Sequence, residues 1–242
     1  MSLLTDLDRG MLDLIFPRDC VVTQLPMDDQ GMLYLSEEGA QQLERINDPR
    51  CYTCGHPFEG ILEGERTCPH CLELNPAFGR AVCAFRARGH IRKIIHEIKY
   101  ARSPFLIDDL ISVAIEDTLI RRHLAGAHLI PVPLHQDKFA QRTYNQAERI
   151  AQIFCQKIPG CTWSRSLIKI KPTPSQTLLS RSERRRNVAN AFHANPASHI
   201  SPSVRYVIID DVLTTGATLH ACATALRKAG ATHIDAATLA HG

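Results

Sequence analysis

The stretch YVIIDDVLTTGATL, residues 206–219, decides how the rest of the chain is read. Tyr206 to Ile209 form a short apolar run rich in β-branched residues, the pattern of a buried strand. The run leads into two carboxylates, Asp210 and Asp211, and then into Leu213-Thr214-Thr215-Gly216-Ala217-Thr218, small and hydroxylated around one glycine. A helix start leaves backbone N–H groups unpaired, and small residues with a glycine let them converge on a phosphate while threonine hydroxyls add donors. A terminal monophosphate suits this cradle. No lysine follows the glycine as in a Walker loop, and no G-x-G-x-x-G fingerprint is present. The two acids would repel a bare polyphosphate. They would accept hydrogen bonds from the 2′-OH and 3′-OH of a ribose whose 5′-phosphate lies in the loop, with Mg²⁺ moderating their repulsion. The alternative is an ordinary strand followed by a helix capped by Thr214 or Thr215, which accounts for one hydroxyl and not for the doubled acid.

The flanking segments alternate between strand and helix patterns. Ala81 to Phe85 has strand character, Ile91 to Tyr100 is helical with Ile91, Ile94, Ile95 and Ile98 on one stripe, and Leu106 to Leu124 reads as one longer helix. Ala127 to Val132 is a short apolar strand, residues 137–157 form a helix with Ala147, Ile150, Ala151 and Phe154 inward, and strands at 205–209 and 233–239 enclose a helix at 217–229. The expected fold class is α/β, a mainly parallel sheet flanked by helices, with ligands at the carboxyl ends of the strands. Between these elements, KPTPSQTLLSRSERRRNV, residues 171–188, reads as an exposed loop entering a basic helix. Near the start, Leu12, Leu14, Ile15 and Phe16 form an apolar stretch that stops at Pro17, and a short helix is expected over residues 36–46.

Residues 51–71, CYTCGHPFEGILEGERTCPHC, hold two C-x-x-C knuckles, Cys51/Cys54 and Cys68/Cys71, separated by 13 residues. Four thiolates form a closed tetrahedral shell around Zn²⁺, and the turn in each knuckle brings both sulfurs to one ion. With no open position the metal would be structural, folding a segment with little core of its own. Reduced thiols or a redox pair are the alternatives, although no strand pattern precedes Cys51 as a thioredoxin-like pair requires. The expected division is an N-terminal segment, residues 1–78, carrying a small zinc-binding module, and a larger domain over 79–242. Of nine cysteines, Cys83, Cys155 and Cys222 fall at core positions, and Cys20 and Cys161 have no assigned role. His56 and His70 read as bystanders within the knuckles.

With 242 residues, 44% hydrophobic and 22% charged, the composition is that of a globular protein, and a net charge of +3 is too small to imply nucleic-acid binding by itself. No run of about 18 apolar residues appears. The opening MSLLTDLDRGMLDLIF carries acidic residues where a secretion signal carries basic ones, so a cytoplasmic protein is expected.

IIDDVLTTGAT resembles the phosphoribosyl-pyrophosphate (PRPP) binding motif of the type I phosphoribosyltransferase superfamily. CYTCGHPF with CPHC, IHEIKYAR, LIPVPLH, RTYNQAERIA and TPSQTLLSRSERRRNVANAF, in this order, narrow the resemblance to its ComF/GntX group, linked to natural competence. The resemblance implies a four-cysteine zinc module ahead of a phosphoribosyltransferase-like domain, with Asp210 and Asp211 on the ribose hydroxyls and Thr214, Thr215, Gly216, Ala217 and Thr218 around the 5′-phosphate. It places Lys99 and Tyr100 at the pyrophosphate-binding turn. The chain departs from the group in two places: Val21, Val22 and Thr23 follow Cys20 where relatives carry a further C-x-x-C knuckle, and Thr143-Tyr144 stand where a glycine and phenylalanine are common.

Phosphoribosyl transfer needs positioning and charge stabilisation while pyrophosphate leaves C1′, tasks for Mg²⁺, Lys99 and arginines such as Arg181, Arg184 or Arg185. The same arginines equally suit a solvated helix face, or phosphates of single-stranded DNA. His96 and His135 read as structural or site-facing. Two classes of function follow. One is an enzyme that transfers phosphoribose from PRPP to an acceptor held by the loops after Pro131–Pro133 and around 142–146. The other is a non-catalytic PRPP-sensing or single-stranded-DNA-binding competence factor, working with DNA-uptake or recombination proteins.

Overall fold

In the computed structural model of the chain, residues 18–27, 32–60, 64–100, 103–172, 188 and 190–242 are described. The Leu12–Phe16 stretch and the segment holding Arg181, Arg184 and Arg185 lie outside them. Helix α1 spans Glu37–Gln41, shorter than expected over 36–46: Ser36 caps it through Gly39 N–H at 3.1 Å, and the chain then turns extended. The reason is tertiary. Ile46 N–H donates to Ala84 O at 2.9 Å and Arg86 N–H to Glu44 O at 2.8 Å, so this segment borders the first strand instead of continuing the helix.

Helix α2, Pro69–Leu74, follows Cys68, with proline in the first turn where no N–H is needed. Strand β1 is Ala81–Arg86, and α3, Gly89–Tyr100, buries Ile91, Ile94, Ile95 and Ile98, the stripe its period predicts. The expected helix over 106–124 is two, α4 at Leu106–Ala114 and α5 at Thr118–Leu124. Asp117 separates them, its carboxylate accepting from Leu119 N–H at 2.8 Å, so a new cap outcompetes continuation of the old helix. Strand β2 is His128–Pro131.

The expected 137–157 helix is likewise divided, into α6, Gln136–Arg142, and α7, Gln146–Lys157. Thr143 adopts a left-handed φ of 67° and Asn145 caps α7 through Ala147 N–H at 3.0 Å while donating to Val132 O at 3.0 Å. The division turns Gln146 toward the end of the sheet. Strands β3, Thr162–Trp163, β4, Leu167–Lys169, and β5, Phe192–Ala194, precede β6, Arg205–Leu213, helix α8, Ala217–Lys228, and β7, His233–His241.

The sheet order is β1-β7-β6-β2-β3 and every neighbouring pair is parallel, as the alternation of patterns predicts; β4 and β5 form a separate antiparallel pair. Side chains of β6 alternate between two cores. Val207 and Ile209 pack with α3, α4, α5 and α7, whereas Tyr206 and Ile208 pack with α8 and the four cysteines. The cysteine segment thus shares its core with the sheet. Both acids lie within β6, which continues through them to Leu213 because β7 pairs with it as far as His241. Among the described residues no helix is long and apolar enough to cross a membrane.

Candidate functional site

The carboxyl ends of β6 and β2 open on a cavity of about 810 Å³, within the ~300–1,000 Å³ of small-molecule sites. Asp210 and Asp211 point into it from β6, Thr214 to Thr218 from the loop and first turn of α8, and Lys99 and Tyr100 from the end of α3. All the residues singled out around YVIIDDVLTTGATL and IHEIKY line this one space.

Asp211 is buried. Its Oδ2 lies 3.0 Å from Lys99 Nζ and accepts from Gln146 Nε2 at 3.1 Å. Asp210 is half-buried, and its Oδ1 accepts from Asp211 N–H at 2.9 Å. Burial pushes the Asp210 carboxyl up to about 7, the adjacent Asp211 charge adds to the rise, and that hydrogen bond with Lys99 and Lys169 opposes it. Among the described residues, hydrogen bonds to the pair reach only Asp210 Oδ1 and Asp211 Oδ2, so one oxygen on each acid remains for a ligand.

Gly216, which has no side chain to cap the helix, sits at the N-cap of α8 with φ 68°. The N-cap is therefore neither Thr214 nor Thr215, and the first turn of α8 faces the cavity. Glycine is required twice over here: the left-handed φ disfavours any side chain, and a Cβ would meet Leu74 Cδ2 at 3.0 Å.

Other members of the cavity carry weaker sequence signals. Lys138 and Arg142 from α6 and Lys169 from β4 line it beside Lys99, Gln146 and His96. Burial pulls Lys169 down to about 8, with Lys138 the next cause, and burial also lowers Lys138, followed by Arg142 and Lys99. Such mutual repulsion marks a cationic wall facing the acid pair. Arg142 stacks over the Tyr100 ring at 5.4 Å, and His96 packs on the same ring at 4.7 Å. The spacing of Lys138 and Arg142, one helical turn apart, was a usable signal; Lys169 enters only through the placement of β4. His135 caps α6, its Nδ1 accepting from Asp137 N–H at 3.4 Å, and has a structural role.

The sulfurs of Cys51, Cys54, Cys68 and Cys71 lie within 4.8 Å of one another, and all four residues are buried. Cys54 and Cys68 sulfurs are 3.8 Å apart, which matches the ~3.8 Å edge of a tetrahedron with ~2.3 Å Zn–S bonds. Hydrogen bonds from Cys54 and Cys71 favour the Cys51 thiolate, and donating to Cys51 holds Cys54 and Cys71 in the thiol form. A divalent cation relieves that conflict, so the four-cysteine cluster is able to hold a metal ion. Cys83 and Cys222 are buried as expected, while Cys155 is only half-buried. Burial opposes ionisation of Cys20, yet hydrogen bonds from Ser36 and Thr23 outweigh it and bring the thiol to about 7. His70 is not a bystander: its Nε2 lies 2.8 Å from the Thr215 carbonyl oxygen in the loop.

Residues 147–242 match the phosphoribosyl transferase domain family. Competence protein F of Haemophilus influenzae is 29% identical over 214 residues, 85% of this chain and 92% of that protein. The DNA utilization protein YhgH of Salmonella typhimurium is 28% identical over 190 residues, 76% of this chain and 81% of that protein. The protein of the same name from Escherichia coli strain K12 is 28% identical over 199 residues, 79% and 83% of the two chains. The chain thus pairs a C-terminal region that matches the phosphoribosyl transferase domain family with a buried four-cysteine cluster, and is similar over most of its length to competence protein F and the YhgH proteins.

Proposed function

We propose that the cavity binds PRPP with Mg²⁺ and that the chain acts in DNA uptake during natural transformation, as a cytoplasmic protein that transfers phosphoribose to an acceptor. The observation that carries this reading is the joint placement of Asp210, Asp211 and the glycine-led start of α8 around one cavity. The 5′-phosphate takes the Thr214–Thr218 amides and hydroxyls. The ribose diol donates to the remaining oxygens of Asp210 and Asp211. Lys99 and Tyr100, with Lys138, Arg142 and Lys169 across the cavity, face the pyrophosphate and stabilise charge as it departs. Mg²⁺ supplies further charge neutralisation when bound with the substrate. Zn²⁺ in the four-cysteine cluster is structural, since the protein's thiolates complete its shell and leave no open position.

The names of the relatives, Competence protein F and DNA utilization protein, support the tie to DNA handling. A pyrophosphate-release assay with PRPP, Mg²⁺, nucleobases and single-stranded DNA tests transfer. Acceptor-dependent release supports it. Absence of release, with PRPP changing the affinity for single-stranded DNA, would favour a non-catalytic PRPP-sensing factor instead.

A further inference from the structure

His70 has a metal-site cysteine on either side in the chain, Cys68 two residues before and Cys71 next after, and lies on the short helix that begins within the second knuckle. Cys68 N–H donates to Cys51 Sγ at 3.2 Å, which fixes the start of that helix on the cluster. The position of the imidazole is thereby dictated by the sulfur geometry. Its Nε2 lies 2.8 Å from Thr215 O. A carbonyl oxygen accepts and does not donate, so Nε2 carries the proton, and Nδ1 is left buried without a hydrogen-bond partner among the described residues. A histidine that leaves one nitrogen unsatisfied for a single backbone contact is held there by its surroundings.

Further contacts run from the same segment along α8. Leu74 packs so close to Gly216 that a Cβ there would lie 3.0 Å from it. Ala77 N–H donates to His220 Nδ1 at 3.1 Å, and Ala77 O accepts from Arg227 Nε at 2.6 Å. The cysteine module therefore grips the loop and the helix behind it at successive points.

We infer that His70 is a positioning residue for the phosphate cradle and that metal loading of the cysteine cluster sets the cradle's affinity. In a planar trans peptide the carbonyl of Thr215 and the N–H of Gly216 point in opposite directions. By holding the Thr215 oxygen on the module's side, His70 turns the Gly216 amide to the other side of the loop, toward the ligand phosphate. Without that bond the Thr215–Gly216 peptide is free to rotate, because glycine accepts either orientation. The cradle then pays an ordering cost on each binding event.

The inference rests on the reading of residues 214–218 as a phosphate loop, and the test separates the two. PRPP with Mg²⁺ is titrated calorimetrically into the metal-loaded wild-type chain, His70→Gln and His70→Glu, with metal content measured for each. Gln and Glu fill the same volume, but only Gln keeps a donor for the Thr215 oxygen. The expected result is near-wild-type affinity for His70→Gln and about 3- to 10-fold weaker binding for His70→Glu at equal metal content, the range of one hydrogen bond. Equal affinities for all three overturn the inference and leave the PRPP reading standing. A wild-type chain that binds no PRPP overturns both. Should either variant fail to fold, chelator-treated wild type replaces the comparison: undiminished PRPP binding after the metal is removed overturns the inference, and a matching loss supports it.

Discussion

Lys99 Nζ lies 3.0 Å from Asp211 Oδ2, joining the end of the helix after β1 to the central strand across the mouth of the cavity. Gln146 donates to the same oxygen from a third element. One oxygen of the buried acid is thus partnered before any ligand arrives. Lys99→Met leaves Asp211 buried with only Gln146 beside it and is expected to cost about 2–3 kcal/mol in chemical denaturation, below the range for a fully buried pair because Lys99 is partly open. Adding Asp211→Asn should recover most of that loss, and failure to recover it would mean that the pair is not coupled.

The raised Asp210 carboxyl gives stability a definite pH trend. Its folded value near 7 lies above the ordinary carboxylate range, so between about pH 4 and 7 the folded chain binds more protons than the unfolded one, and stability falls as pH rises. Asp210→Asn removes the penalty. The variant is expected to melt higher than wild type, by a wider margin at pH 8 than at pH 5, a comparison that needs only thermal melts at the two values.

Ligand affinity should follow two titrations of opposite sign. Asp210 has to ionise to accept ribose hydroxyls, which strengthens binding as pH rises through about 7. Lys169 loses its charge above about 8, which weakens binding of an anion. PRPP affinity is expected to peak between these values. Asp210→Asn should abolish the rising limb and Lys169→Met the falling limb in calorimetry across pH 6 to 9.

Gly216→Ala puts a side chain at φ 68° and against Leu74. It should destabilise the chain by about 1–2 kcal/mol from backbone conformation alone. It should also weaken PRPP binding, because the loop and the start of α8 have to shift together. Denaturant unfolding and calorimetry on the same preparation read both effects.

Metal content offers an independent check on the cysteine module. One Zn²⁺ per chain is expected, and Cys68→Ser should lower that content and the melting temperature together, since the four sulfurs sit in the core shared with Ile208 and Leu219.

Much of this architecture was legible because its elements are long and strongly periodic. The Ile91, Ile94, Ile95 and Ile98 stripe and the Tyr206–Ile209 run each fix a face, and the alternation of such segments fixes a parallel sheet. The breaks at Asp117 and Asn145 leave no mark in the apolar spacing, which continues across them, and only the side-chain caps decide that the helices stop. The second of these breaks is what delivers Gln146 to Asp211. Within the cavity, the acid pair and threonine loop are contiguous in sequence and could be read together, whereas Lys138, Lys169 and His70 come from separate elements whose convergence is a property of tertiary packing. His70 in particular was hidden by its cysteine neighbours, which account for the motif without assigning the ring a partner.

Asp210, Asp211 and the loop after them are proposed to hold a phosphorylated ribose. Calorimetric titration of PRPP with Mg²⁺ into the metal-loaded chain, repeated with Asp210→Asn plus Asp211→Asn, tests this most directly. Saturable one-to-one binding to the wild type that the double substitution abolishes, in a variant that still melts cooperatively, is the predicted result. Absence of binding by the folded wild type, or equal binding by the doubly substituted chain, would contradict it.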